Sequence, residues 1–491
     1  MNRKNKHYGL ILLLFSTFFC SNLGAANKEK NYKFWVEFKD KIGTPYLISR
    51  PEEFLSVRAL SRRLKAGVAV NWSDLPPNPA YIETVKQKGV KILLHSRWMN
   101  AVLVETTDSA LSSEIAGMAT VKNVQLMGVW NSKMAADEDN TGFFNEPLSL
   151  MHSPAIKSKK QAGKSGKKKF AEYANSYGDA YRQIELLNGT VLHRNGYRGN
   201  GVLIAVLDAG FYRANQISAF DSLRNRGGIV HTFDFVTGNA NVYNDDDHGT
   251  EVLSCMAANE PGMMIGTAPD ANYILLRTED AATEFPCEEA NWIAAAELAD
   301  SMGVDLINAS VGYTEFDMQT LGHTYAELDG KTTLITRAAN LAWERGIFVV
   351  TSAGNEGDGR WQYIGAPADA EGAIAVGAVD RDGQRAGFSS VGPTADSRVK
   401  PDLAAMGEAT VVASPGGYYT KSNGTSFSSP VLAGMIACAI QFLPTKKPAE
   451  LRQWILMTGS SYPVADNKLG YGLPDFGKLL QFAGGKNGGR K

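Results

Sequence analysis

Residues 201–211 read GVLIAVLDAGF. The run from Val202 to Leu207 is apolar without a break. It is too short for a core helix and suits a strand buried on both faces. Four further runs share this character: ANYILLR (271–277), VDLINAS (304–310), GIFVVTS (346–352) and AIAVGAV (373–379). Helical stretches lie between them, among them CEEANWIAAAELADSM (287–302) and TLITRAANLAWERG (333–346). Buried strands alternating with helices predict an α/β fold with a parallel sheet covered by helices, from residue 177 to about 485. Sites in such sheets collect at the carboxyl ends of the strands. No G-x-G-x-x-G or P-loop motif follows any of these strands, which disfavours a nucleotide enzyme.

Four residues are suited to chemistry, two of them at such ends. Asp208 closes the opening stretch, with Gly210 behind it for a sharp turn; a carboxylate there is placed to orient another side chain or to cap a helix. In NDDDHGTEVLSCMAA (244–258), His248 stands between a polar loop and a helix, and Gly249 and Thr250 allow close backbone approach and capping. An imidazole titrates in the range a general base needs. Asp245, Asp246 and Asp247 beside it either tune it, bind a cation or form a solvated loop. In TSAGNEGD (351–358), Asn355 lies between glycines, where its amide serves an oxyanion or simply a turn. In NGTSFSSPVLAG (423–434), Ser426 opens an apolar helix, as a nucleophile or as a cap.

Working outward, residues 27–130 form a separate unit. KFWVEF (33–38) alternates like a strand, and Pro51 and Pro79 open helical stretches that stop at Gly67 and Gly89. VKILL (90–94), NAVLVE (100–105) and VKNVQLM (121–127) read as strands, and DSALSSEIAG (108–117) as a capped helix. The mixture predicts a small α+β domain. Residues 131–176 break the pattern: seven lysines fall between Lys157 and Lys169. With no aromatic residues among the lysines, the stretch reads as a flexible, protease-accessible linker and not as a nucleic-acid patch.

At the start, Arg3, Lys4 and Lys6 precede the apolar run GLILLLFSTFFC, which ends in small residues at Gly24, Ala25 and Ala26. This reads as a secretory signal over residues 1–26, too short for a comfortable membrane span. Cys20 raises a lipoprotein alternative, against which Phe18 and Phe19 are bulky. The chain is therefore expected outside the cytoplasm, secreted or periplasmic, with no integral membrane segment once the signal is cut. A net charge of -1 over 491 residues argues against bulk binding of nucleic acid or anionic membrane. Cys255, Cys287 and Cys438 are too widely spaced for a disulfide framework, and Cys255 and Cys438 fit buried helix positions. No Cys, His and carboxylate cluster has metal-ligand spacing.

Taken together, the order Asp208, His248, Asn355, Ser426, in the contexts DAG, HGT, SAGNEG and NGTSFSSP, resembles the subtilisin-like serine peptidases, the subtilase or S8 family. The likeness covers about residues 177–480, including AIAVGAVDRDGQRAGFSSVGP (373–393) and LGYGLPD (469–475). It implies an Asp208–His248–Ser426 triad, with Asn355 donating to the oxyanion. It implies an extended substrate strand on Ser310, Val311 and Gly312, with Ala353 and Gly354 lining the pocket for the residue before the cut. Those small walls suggest a sizeable apolar residue there, although Tyr313 and Trp361 lie close by in sequence. The likeness also implies that residues 27–130 are a propeptide acting as an intramolecular inhibitor. Glu251 stands where relatives commonly have His, and Val431 to Gly434 where they have HVAG. No cofactor is required; calcium stays open, but Asn259 and Glu260 do not make the usual loop site. The alternatives are a catalytically silent binding protein of the same fold, or a peptide ligase using the same acyl-enzyme.

Overall fold

The computed structural model describes residues 30–130 and 175–484. The expected signal and nearly all of the expected linker lie outside these residues. In the first stretch the elements are β1 (Asn31–Phe38), α1 (Val57–Ala66), α2 (Pro79–Lys86), β2 (Lys91–Ser96), β3 (Ala101–Thr106), α3 (Leu111–Ala116) and β4 (Val121–Trp130). The strands form one antiparallel sheet in the order β2-β3-β1-β4. Alternation along β1 sends Phe34, Val36 and Phe38 into this unit's own core with Val85 and Ile115. Trp35, on the opposite face, packs in a core shared with Trp292 and Ala295 of the second stretch. Both faces of the sheet are therefore covered, one by the unit's helices and one by its neighbour.

The helix expected from Pro51 begins later. Pro51–Glu53 is a single 3₁₀ turn, and α1 starts behind Ser56, whose side chain accepts from the Ala59 N–H at 3.2 Å. A hydroxyl cap satisfies an N–H that proline at residue 51 leaves untouched. Gly67, at φ +76°, ends the helix in the left-handed region that glycine tolerates.

In the second stretch the elements that carry the fold are β5 (Leu203–Asp208), β6 (Ile229–Asp234), α4 (His248–Ala257), β7 (Asn272–Arg277), α5 (Cys287–Met302), β8 (Leu306–Ala309), α6 (Leu334–Glu344), β9 (Phe348–Ser352), β10 (Ala373–Val379), β11 (Leu403–Met406) and α7 (Thr425–Phe442). Seven strands form one parallel sheet in the order β11-β10-β9-β8-β5-β7-β6. The five runs expected from sequence are its middle. The two strands missed, β6 and β11, are its edges: IVHTFD is half-exposed through its first four residues, and LAAM has only four residues. Helices α4 and α7 cover one face, where Val206, Val350 and Val376 meet Leu253 and Leu432. Helices α5 and α6 cover the other, where Ala205, Ile307 and Val349 meet Ile293 and Ile335. By length and hydropathy α7 passes for a membrane span, but 83% of it is buried inside this domain.

Candidate active site

Two glycines bring the first pair of site residues together. A Cβ on Gly249 would stand 2.3 Å from the Gly210 carbonyl, and one on Gly210 would stand 2.6 Å from the Asp246 carbonyl. Only glycine lets the start of α4 approach the turn after β5 this closely. As a result His248 Nδ1 donates to Asp208 Oδ1 at 2.7 Å. Asp208 is fully buried, and the same oxygen accepts from the Ala209 N–H at 2.9 Å. The His248 N–H donates to Asp246 Oδ1 at 2.8 Å, which fixes the helix start. With Nδ1 as donor, Nε2 is the acceptor of the neutral ring. Burial opposes charge on the ring, yet Asp208 outweighs it, helped by the hydrogen bond, Asp246 and Glu251. The imidazole is raised to about 9.

The second pair meets across β9 and α7. Asn355 Oδ1 accepts from the Thr425 N–H at 2.8 Å and the Thr425 hydroxyl at 2.9 Å. That hydroxyl in turn accepts from the Gly354 N–H at 3.1 Å. The amide oxygen is thus held against the start of α7. Asn355 and Ser426 line one cavity of about 200 Å³, together with Ser310, Gly312, Ala353 and Gly354. Thr314, Ser352, Glu356 and Gly365 complete its wall, which is more polar than the small residues anticipated from sequence. Val311 follows Ser310 on the same edge, half-buried. Tyr313 is a core residue, its hydroxyl donated to Glu279, and the indole N–H of Trp361 donates to the Ile364 carbonyl at 3.2 Å.

Sequence reasoning missed what holds Ser426. Pro430 stands inside α7 and has no N–H for the carbonyl four residues earlier. That carbonyl belongs to Ser426, and the Ser310 hydroxyl donates to it at 2.8 Å. The Ser426 hydroxyl itself donates to the Ser310 carbonyl at 3.3 Å and not to His248, the partner anticipated from sequence. The His248 ring lies 5.8 Å, centre to centre, from that of Phe427, the residue next to the serine. Ser428 and Ser429 are buried, donating to the Thr425 carbonyl at 3.0 Å and Asn308 Oδ1 at 2.9 Å. Asn259 and Glu260 are engaged with Ser222, Ser218 and Tyr419. Among the described residues no group of three His, Cys or carboxylate side chains is arranged for a metal, and Cys255, Cys287 and Cys438 are buried thiols.

Residues 199–472 match the Subtilase family, Peptidase S8. The chain belongs to the subtilase family. Residues 33–142 match a Peptidase S8 propeptide domain of Bacteroidota, so this subtilase carries a propeptide. It is 34% identical to Subtilisin NAT of Bacillus subtilis subsp. natto over 293 residues, which are 59% of this chain and 68% of that protein. It is 34% identical to Subtilisin of Bacillus pumilus over 287 residues, 57% of this chain and 92% of the other. The fold is shared with the epidermin leader peptide processing serine protease of Staphylococcus aureus, at a TM-score of 0.59 and 17% identity, over 94% of this chain and 99% of that one. Fervidolysin from Fervidobacterium pennivorans, a keratinolytic enzyme related to subtilisin, gives a TM-score of 0.59 at 18% identity, over 92% and 61%. The subtilase is accordingly a subtilisin-like serine peptidase with an α/β domain behind a propeptide.

Proposed function

We propose that this subtilase is a secreted endopeptidase, made as a zymogen, that cuts peptide bonds through Asp208, His248 and Ser426. The observation that carries the reading is the 2.7 Å contact from His248 to Asp208 in a domain where Ser426 and Asn355 share one cavity. An extended substrate lies along Ser310, Val311 and Gly312, with the residue before the cut in the pocket beside Ala353 and Gly354. Its backbone N–H competes for the Ser310 carbonyl and releases the Ser426 hydroxyl to turn toward His248 Nε2. The oxygen attacks the scissile carbonyl carbon while Nε2 takes the proton. The Asn355 amide and the Ser426 N–H at the start of α7 donate to the oxyanion. His248 passes its proton to the leaving amine, and water then attacks the acyl-enzyme with His248 as base.

Residues 27–130 are the intramolecular inhibitor in this reading, and 131–176 hold the processing site. The segment 1–26 directs export, and the reaction needs no cofactor. N-terminal sequencing of the exported protein tests these points together. Wild type is expected to begin within 131–176, and Ser426→Ala to stay joined to residues 27–130. A wild-type chain that stays uncut while active rules out the zymogen. A serine-hydrolase probe that labels Ser426→Ala as strongly as wild type would favour the silent binding protein.

A further inference from the structure

The catalytic domain carries carboxylates that its peptidase chemistry does not use. Asp300 on α5 is fully enclosed, and Glu297, one turn earlier, is nearly so. Among the described residues, every side-chain hydrogen bond accepted by the Asp300 carboxylate comes from the propeptide. Its Oδ1 accepts from Arg62 Nη2, and its Oδ2 from Arg63 Nη2 and Arg97 Nη2, each at 2.7 Å. Glu297 is used in the same way: Oε1 accepts from the Ser96 hydroxyl and, at 3.1 Å, the Trp98 N–H, and Oε2 from the Arg97 N–H at 2.9 Å. The end of α5 is read as well. Arg62 Nη1 donates to the Val304 carbonyl at 2.9 Å, and Arg58 Nε to the Gly303 carbonyl at 2.9 Å, where a helix leaves its carbonyls unpaired. In the reverse direction, Arg345 of the catalytic domain donates to Asp74 at 2.8 Å and stacks 4.7 Å from the Trp98 ring.

A carboxylate enclosed in protein is costly unless cations and donors meet it. For packing alone, an apolar or neutral residue on α5 would serve as well. Arg345 of its own domain adds positive charge nearby, but the Asp300 carboxylate has side-chain hydrogen-bond donors only while three propeptide guanidinium groups are seated on it, and their planar forks supply directed donors that a lysine does not.

We propose that Asp300, backed by Glu297, is the element by which this subtilase recognises its own residues 30–130. It is an arginine socket that admits an α+β module only if two consecutive arginines of a helix and a third from a β-turn reach it together. Recognition of that module rests on the reading of residues 30–130 as the domain the enzyme must bind.

The test uses the full chain with Ser426→Ala, so that no cut occurs, followed by hydrogen exchange. Adding Asp300→Asn is expected to speed exchange at residues 57–66 and 97–100 at least tenfold, while β5 and α7 keep their protection. Arg62→Lys keeps the charge and loses the fork. It is expected to give the same pattern at smaller amplitude, and it decides the matter if Asp300→Asn does not fold. Unchanged exchange at 57–66 in Arg62→Lys and in a folded Asp300→Asn overturns the proposal. So does a loss of protection spread evenly through β5 and α7 of a folded variant, which marks Asp300 as support for its own domain. With Ser426 restored, Asp300→Asn is expected to shorten the delay before peptidase activity appears. If exchange rises as expected while the delay is unchanged, the socket stands and the inhibitory reading of residues 30–130 falls.

Discussion

The charge around His248 is set by its neighbours as much as by Asp208. Glu251 lies one turn into α4, its carboxylate accepting from the Ser422 hydroxyl at 2.8 Å, and it adds negative charge beside the imidazole. A base must be neutral to accept a proton, and the raised imidazole holds its proton to about pH 9. The acid limb of kcat/KM is therefore expected above neutrality. Glu251→Gln removes one stabilising charge and is expected to move that limb to lower pH, read from kcat/KM profiles of the two enzymes. The oxyanion donor proposed at Asn355 gives a second prediction. Asn355→Ala is expected to lower kcat by about 10²–10³ with KM little changed, the cost known for such a donor in subtilisin. Thr425→Val removes one of the two bonds that hold the amide oxygen, and is expected to lower kcat by about fivefold, equivalent to ~1 kcal/mol. The contexts of Asp208, His248, Asn355 and Ser426 were legible in the sequence because each is a short local pattern. Thr425 was not, since its work is a contact with a residue 70 positions away.

Among the elements, α7 is held at its start by an exchange between two serines. Pro430 removes the N–H that would pair with the Ser426 carbonyl, and Ser310 at the end of β8 replaces it. Ser310→Ala leaves a buried carbonyl without a donor, at an expected ~1–3 kcal/mol. Ala at position 430 restores the N–H within the helix. The pair Ser310→Ala with Pro430→Ala is therefore expected to be more stable than Ser310→Ala alone, measured by urea unfolding of full chains carrying Ser426→Ala. Additive losses would show that the carbonyl is not the coupling. The same scale explains the strand readings. The five central strands are largely apolar because both faces are covered; β6 lacks that mark because it lies half-exposed at an edge, and β11, though apolar and buried, has only four residues.

At the scale of the whole molecule, the propeptide and the catalytic domain meet through charge as well as apolar packing. Burial alone would raise the Asp300 carboxyl, but Arg62, Arg63, Arg97 and Arg345 hold it well below the usual range. A carboxylate depressed in this way contributes its full stabilisation above its ordinary titration range, and the contribution fades as pH falls below that range. The Asp300 contribution to docking of residues 30–130 is thus expected to hold from neutral pH to about 5, above the ordinary carboxylate range, and to fade only in stronger acid, while Glu297, whose carboxyl is raised by burial, adds no loss as pH falls. Trp98 fluorescence in the uncut Ser426→Ala chain, read against pH, checks this; release near pH 5 would contradict it.

By itself the sequence determined the parallel sheet, the small α+β unit ahead of it and the motifs that hold four candidate site residues. Each of these is written in local periodicity or in a few neighbouring residues. Tertiary structure alone decided that Ser310 and Pro430 together seat Ser426, that Glu356 lines the pocket, and that Asp300 belongs to Arg62, 238 positions earlier. Ion pairs and substituted hydrogen bonds depend on which surfaces meet, and no spacing along the chain records that.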